Sequence, residues 1–315
     1  MSANWTKNNM PDLTGKVIII TGANCGIGYE AAKEFARKGA QVILACRDMN
    51  KAHVALTRIK EEIPEALAEI MQLDLVRLAS VRQFSDDFKA KYQQLDVLVN
   101  NAGIMWAPYG KTVDGFESQF GTNHLGHFAL TGRLIELISK TPDARVVNVS
   151  SVGHRSGVMD FHNLMFENGE GYSRHGAYGR SKLANLLFTY ELQRRFEANN
   201  IDAIATAAHP GTSNTNLTRH VEGQWWFRLF RPLATVMVQS AAMGALPTIR
   251  AAVDPNARGG EYYGPGGFME QRGYPILVQS SAASHNQADA ERLWQVSEEL
   301  TGLQYLTETE IAISV

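Results

Sequence analysis

The chain has 315 residues, of which 44% are hydrophobic and 20% are charged, and its formal net charge is −2 at pH 7. This composition is typical of a globular protein with a large buried core, and the small charge gives no electrostatic reason to expect nucleic acid or an anionic membrane as a partner. Cys25 and Cys46 form neither a metal-like spacing nor a disulfide framework, so we expect a reducing, cytoplasmic location. We expect neither a signal peptide nor a transmembrane segment, because no run approaches the roughly 20 apolar residues of a spanning helix.

Short apolar runs alternate with amphipathic segments along the chain. The runs are rich in β-branched residues and nearly free of charge, as parallel strands covered on both faces should be. The segments between them have apolar residues at helical spacing. In chain order the predicted strands are Val17–Ile20, Val42–Ala45, Ile70–Leu73, Val97–Val99, Val146–Val149 and Ala203–Thr206, and the clearest predicted helices are Gly28–Lys38, Ala79–Lys91, Ser181–Glu197 and Gln287–Leu300.

This alternation predicts an α/β fold with a single domain over residues 1–315. We expect a Rossmann-type, doubly wound parallel sheet of about seven strands, with helices on both faces. A cofactor half would cover about 14–150, and a catalytic and substrate half about 151–302. A segment at about 212–240, after the sixth strand, would cover the substrate site as a lid.

A glycine-rich turn, Thr21-Gly-Ala-Asn-Cys-Gly-Ile-Gly28, follows the first predicted strand and opens a helix. Glycines permit a tight turn and a close approach of the backbone to a pyrophosphate, and the helix N-terminus attracts its negative charge. The spacing is Gly-x-x-x-Gly-x-Gly, and the alternative is a tight turn that binds no ligand. The residues predicted to bind a dinucleotide here are Gly22, Asn24, Cys25, Gly26, Ile27 and Gly28.

The end of the second strand predicts which nicotinamide cofactor is bound. An acidic residue there would bind the ribose 2′-hydroxyl, whereas a basic residue would bind a 2′-phosphate. Arg47 has a planar guanidinium that suits a phosphate, but Asp48 follows it directly and favours the unphosphorylated cofactor. We predict NADP rather than NAD; the alternative is that Arg47 is only a solvated strand-end residue.

Two further turns are predicted to contact the cofactor. Asp74 and Leu75 follow the third strand and would meet the adenine edge, while Asn101, Ala102 and Gly103 follow the fourth strand and would turn the chain beneath the cofactor. By themselves such sequences are usually only turn chemistry.

With these positions in hand, the chain resembles the short-chain dehydrogenase/reductase family from about Thr14 to Gly302. Six motifs match in the family's order: Thr21–Gly28, Asn100–Gly103, Asn123, Ser151, Tyr178–Lys182 and Pro210–Thr215. Within the family, three stretches look like the retinol dehydrogenases and the oxidoreductase domain of the WW-domain-containing oxidoreductase. These stretches are Asn123–Phe128, Asp160–Leu164 and Tyr178–Asn185.

The resemblance implies an NAD(P)-dependent oxidoreductase with a defined set of catalytic residues. Tyr178 would be the general acid in reduction and the general base in oxidation, and the charge of Lys182, one helical turn on, would lower its pKa. Lys182 would also bind the nicotinamide ribose. Ser151 would donate a hydrogen bond to the substrate carbonyl, with Ser150 as the alternative donor, and Asn123 would hold a water that relays protons to Lys182.

The same resemblance implies the remaining cofactor and substrate contacts. Pro210 and Gly211 would bind the cofactor, and Thr215 would orient the nicotinamide carboxamide. Aromatic residues after Thr215 suggest an apolar lid and a bulky retinoid-, steroid- or lipid-like carbonyl or alcohol, although they could instead pack internally or lie on a membrane surface. The residues predicted to contact the substrate are Met105, Trp106, Ser151, Gly153, Trp225 and Trp226.

Some features lie outside this assignment. Cys25 stands where the family has serine or threonine, and redox sensitivity is one hypothesis for it. The stretch Val158–Gly176 is predicted to form an excursion near the substrate mouth. No metal is expected, because His124 and His127 lack a carboxylate or cysteine to complete a site.

Other predictions concern the activity and the assembly. The main alternative activity is a non-catalytic NADP-binding sensor or scaffold on the same fold, although such a protein needs no proton donor. A sugar-nucleotide epimerase, with related tyrosine chemistry, fits neither the glycine spacing nor the small C-terminal part. The family implies a homodimer or homotetramer that pairs through the helices near Asn123 and Tyr178.

Overall fold

The computed structural model describes residues 4–212 and 239–307 of the chain. In these ranges the strands are β1 (Val17–Thr21), β2 (Gln41–Cys46), β3 (Ala68–Gln72), β4 (Val97–Asn100), β5 (Ala144–Val149), β6 (Ala203–Ala208), β7 (Tyr262–Pro265) and β8 (Pro275–Leu277). They form one sheet in the order β3-β2-β1-β4-β5-β6-β7-β8, in which neighbouring strands are parallel except for β7 and β8. The predicted doubly wound sheet is confirmed, and the antiparallel β8 is an additional edge strand.

Helices cover both faces of this sheet, so the strands alternate between two cores. Ile18 and Ile20 of β1 point to one core, whereas Ile19 points to the other. All three side chains are fully buried, which explains why the strand reads as an unbroken apolar run. Among the described residues, the α-helices longer than one turn are α1 (Gly26–Arg37), α2 (Met49–Glu62), α3 (Leu78–Lys91), α4 (Gly126–Lys140), α5 (Arg174–Ala198), α6 (Ala241–Val253) and α7 (Gln287–Thr301).

The strand order creates a crevice at the centre of the sheet. β1 pairs with β2 on one side and with β4 on the other, so the chain leaves the ends of β1 and β4 in opposite directions. In open α/β sheets ligands bind at this reversal, outside the carboxyl ends of the strands. The glycine turn follows β1 and the turn after Asn100 follows β4, so both lie at this position.

Helix α5 begins at Arg174, earlier than the predicted start at Ser181. The Ser173 side chain caps it by accepting a hydrogen bond from the Gly176 backbone N–H at 3.0 Å. The helix is buried on nearly all sides from Ala177 to Leu192, and such a helix has no amphipathic period to reveal its start. The predicted excursion therefore ends at Ser173, and Tyr178 lies in the second turn of the helix.

Helix α7 covers the outer face of α4 and α5. The Trp294 ring, only 2% exposed, lies 5.1 Å from the Phe128 ring and 5.7 Å from the Phe188 ring, measured between centroids. His124 Nε2 lies 3.0 Å from Ser297 Oγ of α7. A helix of the same chain therefore packs against part of the two helices near Asn123 and Tyr178, and the pairing of subunits through these helices stays a prediction.

The two described residues that flank positions 213–238 lie together. Gln239 donates its backbone N–H to the Thr212 carbonyl at 3.0 Å, and its side chain donates to the Pro210 carbonyl at 2.7 Å. Most of the predicted lid, including Thr215, Trp225 and Trp226, lies outside the described residues. Within the described ranges, no helix has the length and apolarity that crossing a membrane requires.

Candidate active site

A cavity of about 430 Å³ opens at the carboxyl ends of β1 and β4. It brings together residues that are far apart in the sequence, from the glycine turn to α5. Gly211 does not line its wall, and Thr215 lies outside the described residues. The predicted cofactor residues in the wall are Gly22, Asn24, Cys25, Gly26, Ile27, Gly28, Arg47, Asp74, Leu75, Asn101, Ala102, Gly103, Tyr178, Lys182 and Pro210.

The turn requires glycine for two different structural reasons, backbone conformation and space. Gly22 and Gly26 have φ values of +69° and +60°, which L side chains rarely adopt. Gly28 is required for space: a Cβ there would lie 2.5 Å from Asn101 Nδ2 and 2.7 Å from the Gly22 carbonyl oxygen. Cys25 is the N-cap of α1, and its side chain makes no capping hydrogen bond. The first-turn N–H groups of α1 therefore have no side-chain cap at the cavity.

Thr21 joins this turn to the one after β4. Its Oγ1 accepts hydrogen bonds from the backbone N–H groups of Asn101 and Ala102, both at 2.9 Å, and lies 2.9 Å from His127 Nε2. His127 Nδ1 faces the Asn123 carbonyl at 3.0 Å and must donate to it, because a carbonyl only accepts. Burial lowers the pKa of His127 to about 4, so the ring is neutral and Nε2 accepts from the Thr21 hydroxyl.

His127 thus has a structural role, with partners that the sequence did not identify. It connects α4 to the end of β1 through a defined tautomer. Among residues 4–212 and 239–307, no group of three or more histidine, cysteine, aspartate and glutamate side chains could hold a metal ion.

Asn123 lies in a π-helical turn, Gly121–Leu125, directly before α4. Its amide nitrogen donates to the Ile104 carbonyl and to Ser181 Oγ, both at 2.9 Å, while its oxygen accepts from the Ile104 N–H at 2.8 Å. Both amide hydrogens are therefore used, and the side chain holds Ile104 at the cavity wall. A water bound to Asn123, as the family resemblance implies, would have to donate to one of its oxygens.

Tyr178 and Lys182 lie on one face of α5, with Lys182 Nζ 5.8 Å from the centroid of the tyrosine ring. The ammonium donates a hydrogen bond to the Val149 carbonyl at 2.8 Å. Burial lowers the pKa of Lys182 to about 8. Burial also raises the pKa of Tyr178, and a hydrogen bond with Ser151 opposes this rise. The expected lowering of the tyrosine pKa by Lys182 stays a prediction.

The two neighbouring serines are used differently. Ser150 lines the cavity, but its hydroxyl donates to the Lys182 carbonyl at 2.8 Å and so has no hydrogen left for a substrate. Ser151 caps the 3₁₀ helix Val152–Ser156, accepts from the Gly153 N–H at 3.1 Å and interacts with Tyr178. Among the described residues no acceptor is assigned to its own hydrogen, which favours Ser151 over Ser150 as the donor.

Gly153 lies against the tyrosine ring. A Cβ at this position would be 3.1 Å from Tyr178 Cε1, close enough to press on the ring, and 3.5 Å from Ser151 Oγ, which is ordinary contact. The structure therefore places Gly153 beside the predicted catalytic pair.

Of the two predicted wall residues after the Asn-Asn-Ala-Gly turn, Met105 lines the cavity and Trp106 does not. Trp106 has φ +54°, its N–H donates to Gln119 Oε1 at 2.8 Å, and its ring lies 4.5 Å from the His175 ring. His175 comes one helical turn before Tyr178. The sequence missed both Gln119 and His175, because neither belongs to a motif.

The excursion after β5 is held by a buried arginine inside the Tyr-x-x-x-Lys motif. Arg180 donates to the carbonyls of Val158, Asn163 and Leu164 at 2.7–3.0 Å, and its guanidinium carbon lies 3.9 Å from the centroid of the Phe166 ring. The helix that carries Tyr178 and Lys182 thus also fixes the excursion.

Comparison with known proteins agrees with this geometry. Residues 16–224 match the family described as short chain dehydrogenase. The chain belongs to the short-chain dehydrogenase family. It is therefore an oxidoreductase enzyme, of a family that uses NAD or NADP.

Individual relatives support the same assignment. Retinol dehydrogenase 12 of Mus musculus is 41% identical over 297 residues, covering 93% of this chain and 88% of the relative. Retinol dehydrogenase 11 of Homo sapiens is 40% identical over 294 residues, covering 92% of this chain and 87% of the relative. The expected resemblance to retinol dehydrogenases is thus confirmed.

Solved structures share the fold. An uncharacterized protein from Mycobacterium paratuberculosis has 40% identity and a TM-score of 0.80, with coverage of 96% of this chain and 99% of the other. A short chain dehydrogenase from Shigella flexneri, complexed with NADP, has 23% identity and a TM-score of 0.62, with coverage of 80% and 98%. At that identity the second structure supports the fold alone.

Proposed function

We propose that this oxidoreductase uses NADP to interconvert a carbonyl and an alcohol on a bulky apolar substrate, with Tyr178 as general acid and base. The observation that carries the proposal is that one cavity is lined by the glycine turn, Arg47, Tyr178 and Lys182. The bound dinucleotide would supply or accept the hydride, and the side chains described above would bind, orient and move the proton.

The cavity fits a dinucleotide at its pyrophosphate position. A Cβ at Gly28 would collide with Asn101 and with the Gly22 carbonyl, so this part of the wall is as close-packed as a phosphate cradle requires. The first turn of α1 lacks a side-chain cap, and its N–H groups would bind the negative charge.

The end of β2 supports NADP over NAD. Asp48 caps α2 by accepting from the Lys51 N–H at 3.1 Å, and its other carboxylate oxygen pairs with Lys51 Nζ at 2.7 Å. Both oxygens are thus engaged, which weakens Asp48 as a ligand for a ribose hydroxyl. Arg47 lines the cavity and, among the described residues, has no carboxylate partner. Its guanidinium would bind the 2′-phosphate, with Lys51 as a second nearby cation.

The proton chemistry follows from burial of the tyrosine. The raised pKa keeps the phenol of Tyr178 protonated at neutral pH, which is the form that donates a proton to the substrate oxygen during reduction. Ser151 would donate a hydrogen bond to the same oxygen. Lys182 would stabilise the phenolate left after transfer and would bind the nicotinamide ribose. In oxidation the same groups would run in reverse.

The substrate class rests on the relatives and on the cavity wall. Proteins named retinol dehydrogenase are similar over most of the chain, which supports a retinoid-like or other bulky apolar alcohol or aldehyde. Met105 contributes an apolar surface to the wall. Trp106, Trp225 and Trp226 remain proposed substrate contacts.

Turnover assays test the proposal. NADPH and NADH oxidation would be measured with a panel of apolar aldehydes and ketones that includes retinal, comparing wild type with Tyr178→Phe. Tyr190→Phe is a matched control, because Tyr190 lies in the same helix and its hydroxyl interacts with Ser280 instead of the cavity. We expect turnover in wild type and control but not in Tyr178→Phe. Tight NADPH binding without turnover of any compound would favour the sensor function.

Location and assembly are separate proposals. The small number of cysteines supports a cytoplasmic location, which fractionation of the source cells would test.

The expected homodimer or homotetramer would have to avoid the part of α4 and α5 that α7 covers. Sedimentation equilibrium of the full chain would give the oligomeric state.

A further inference from the structure

Three charged or polar side chains connect the 3₁₀ helix after Ser151 to the segment that precedes Pro210. They have no part in the proposed proton transfer. We call Arg155, Glu270 and His209 the clasp. Arg155 Nη2 donates to Glu270 Oε1 at 2.8 Å, and Glu270 Oε2 lies 3.1 Å from His209 Nε2. Arg155 belongs to the 3₁₀ helix that Ser151 caps, whereas His209 directly precedes Pro210 in the chain.

The ring of His209 lies between Glu270 and the backbone of Gly211. His209 is fully buried, and its Nδ1 accepts the Gly211 N–H at 3.2 Å. Nε2, on the other side of the ring, faces Glu270 Oε2 at 3.1 Å, a close approach of the two atoms without hydrogen-bond geometry. The contact from His209 and then that from Arg155 hold the pKa of Glu270 at about 2, so this carboxylate is ionised at neutral pH. The imidazole thus links the carboxylate to the backbone of Gly211.

The surrounding backbone is shaped to make this contact. Met269 and Glu270 have φ values of +49° and +57°, a conformation that residues with side chains keep only where their surroundings enforce it. A Cβ at Gly264 of β7 would lie 2.0 Å from His209 Nε2, so only glycine leaves room for the ring. The Gln271 carbonyl accepts the Thr212 N–H at 2.9 Å.

We propose that Glu270 is a positioning residue, which through His209 and Arg155 fixes Pro210 and Gly211 relative to the 3₁₀ helix of Ser151. The inference rests on the proposed function, in which Pro210 lies at the nicotinamide end of the cofactor and Ser151 at the substrate carbonyl. Hydride transfer needs these two groups in one fixed geometry, because small misplacements of reacting groups cost large factors in rate.

A purely stabilising ion pair would act differently from a positioning residue. The clasp adjoins Pro210, which lines the cavity and in the proposed function lies at its nicotinamide end, whereas Arg47 and the glycine turn line the adenosine end. Loss of a positioning contact should therefore change the nicotinamide end of the site and leave the adenosine end as it was. The ligand 2′,5′-ADP reports the adenosine end alone, and the emission of bound NADPH reports the dihydronicotinamide.

The test compares Glu270→Gln and Glu270→Ala with wild type. Glu191→Gln is the matched control, because Glu191 is also a carboxylate paired with arginine, here Arg194 and Arg195, but it lies in the C-terminal half of α5. We expect unchanged 2′,5′-ADP affinity, altered emission of bound NADPH, and a loss in kcat of about 10- to 100-fold for the Glu270 variants. Glu191→Gln should match wild type in all three measurements.

Two results would overturn the proposal. One is wild-type kcat and wild-type emission in both Glu270 variants; the other is a parallel loss of 2′,5′-ADP and NADPH affinity, which indicates a general structural role. If the wild type itself fails to bind NADPH, the proposed function fails together with this inference. Should the Glu270 variants not fold, Arg155→Gln breaks the clasp from its exposed end and should give the same pattern, with Arg155→Lys partly restoring kcat.

Discussion

The adenosine side and the catalytic side of the cavity are built by different means. The adenosine side, which we define as residues 22–28 with Arg47, consists of backbone and strand-end residues whose positions follow from the ends of β1 and β2. The catalytic side, defined as Ser151, Tyr178 and Lys182, depends on contacts over long sequence separations, such as that of Lys182 Nζ with the Val149 carbonyl. Binding is thus determined mainly by local conformation, whereas proton chemistry is determined by burial. Substitutions on one side should leave the other side working.

The strongest test of this separation is Tyr178→Phe. Removal of the hydroxyl deletes the proposed proton donor, and general acid catalysis contributes about 10²- to 10⁴-fold to rates. We expect kcat to fall by a factor in this range, while NADPH affinity stays at the wild-type value because the ring and its packing remain. Stopped-flow and equilibrium fluorescence measure the two quantities. A parallel loss of affinity would show that the two sides are coupled.

Gly28→Ala should have the reverse effect. The new Cβ would lie 2.5 Å from Asn101 Nδ2 and 2.7 Å from the Gly22 carbonyl oxygen, so the turn must shift away from the pyrophosphate position. We expect NADPH affinity to fall about 100-fold, equivalent to about 2.7 kcal/mol, with kcat at saturating cofactor much less affected. Gly115→Ala is a suitable control for the loss of a glycine, because a Cβ there meets no atom within 4 Å, although its φ of +90° adds strain. Wild-type affinity in Gly28→Ala would contradict the close approach of the cofactor to this turn.

Arg47→Asp should have a smaller and more selective effect. Because the guanidinium would contact only the 2′-phosphate, we expect NADPH to lose about 10-fold to 100-fold in affinity, and NADH to lose little, since a bidentate charged contact is worth about 1.5–3 kcal/mol. Titration with both cofactors measures the ratio. Lys51→Ala provides the comparison, because it frees Asp48 and should move the preference in the same direction. An equal loss for both cofactors would remove the phosphate role from Arg47.

The sequence predicted these two sides unequally well. Glycine spacing, strand alternation and Tyr-x-x-x-Lys are local patterns, so the sheet, the turn and the order of motifs could be predicted. Other contacts join residues that are far apart in the sequence, and no local pattern indicates them. Examples are the packing of Trp294 against α4 and α5 and the hydrogen bond between Thr21 and His127. The rise of the Tyr178 pKa on burial could not be predicted for the same reason, because burial of that side chain depends on the whole fold. The clasp around Glu270 depends on left-handed residues that composition does not reveal.

The pH dependence of the reaction should show the smallest effect. Burial places the pKa of Lys182 at about 8, below its usual 10.5, so the ammonium is lost as pH rises through about 8. If that charge stabilises the Tyr178 phenolate, kcat/KM should fall to half at about pH 8 and then by at most tenfold per pH unit. A flat profile to pH 9.5 would remove this role from Lys182.

The same shift makes the unfolded chain bind more protons than the folded one between about pH 8 and 10.5, so the contribution of Lys182 to the free energy of unfolding rises in that window. Urea titrations at pH 7.5 and 9 would therefore separate a catalytic loss of charge, in which activity falls without loss of stability, from simple alkaline unfolding.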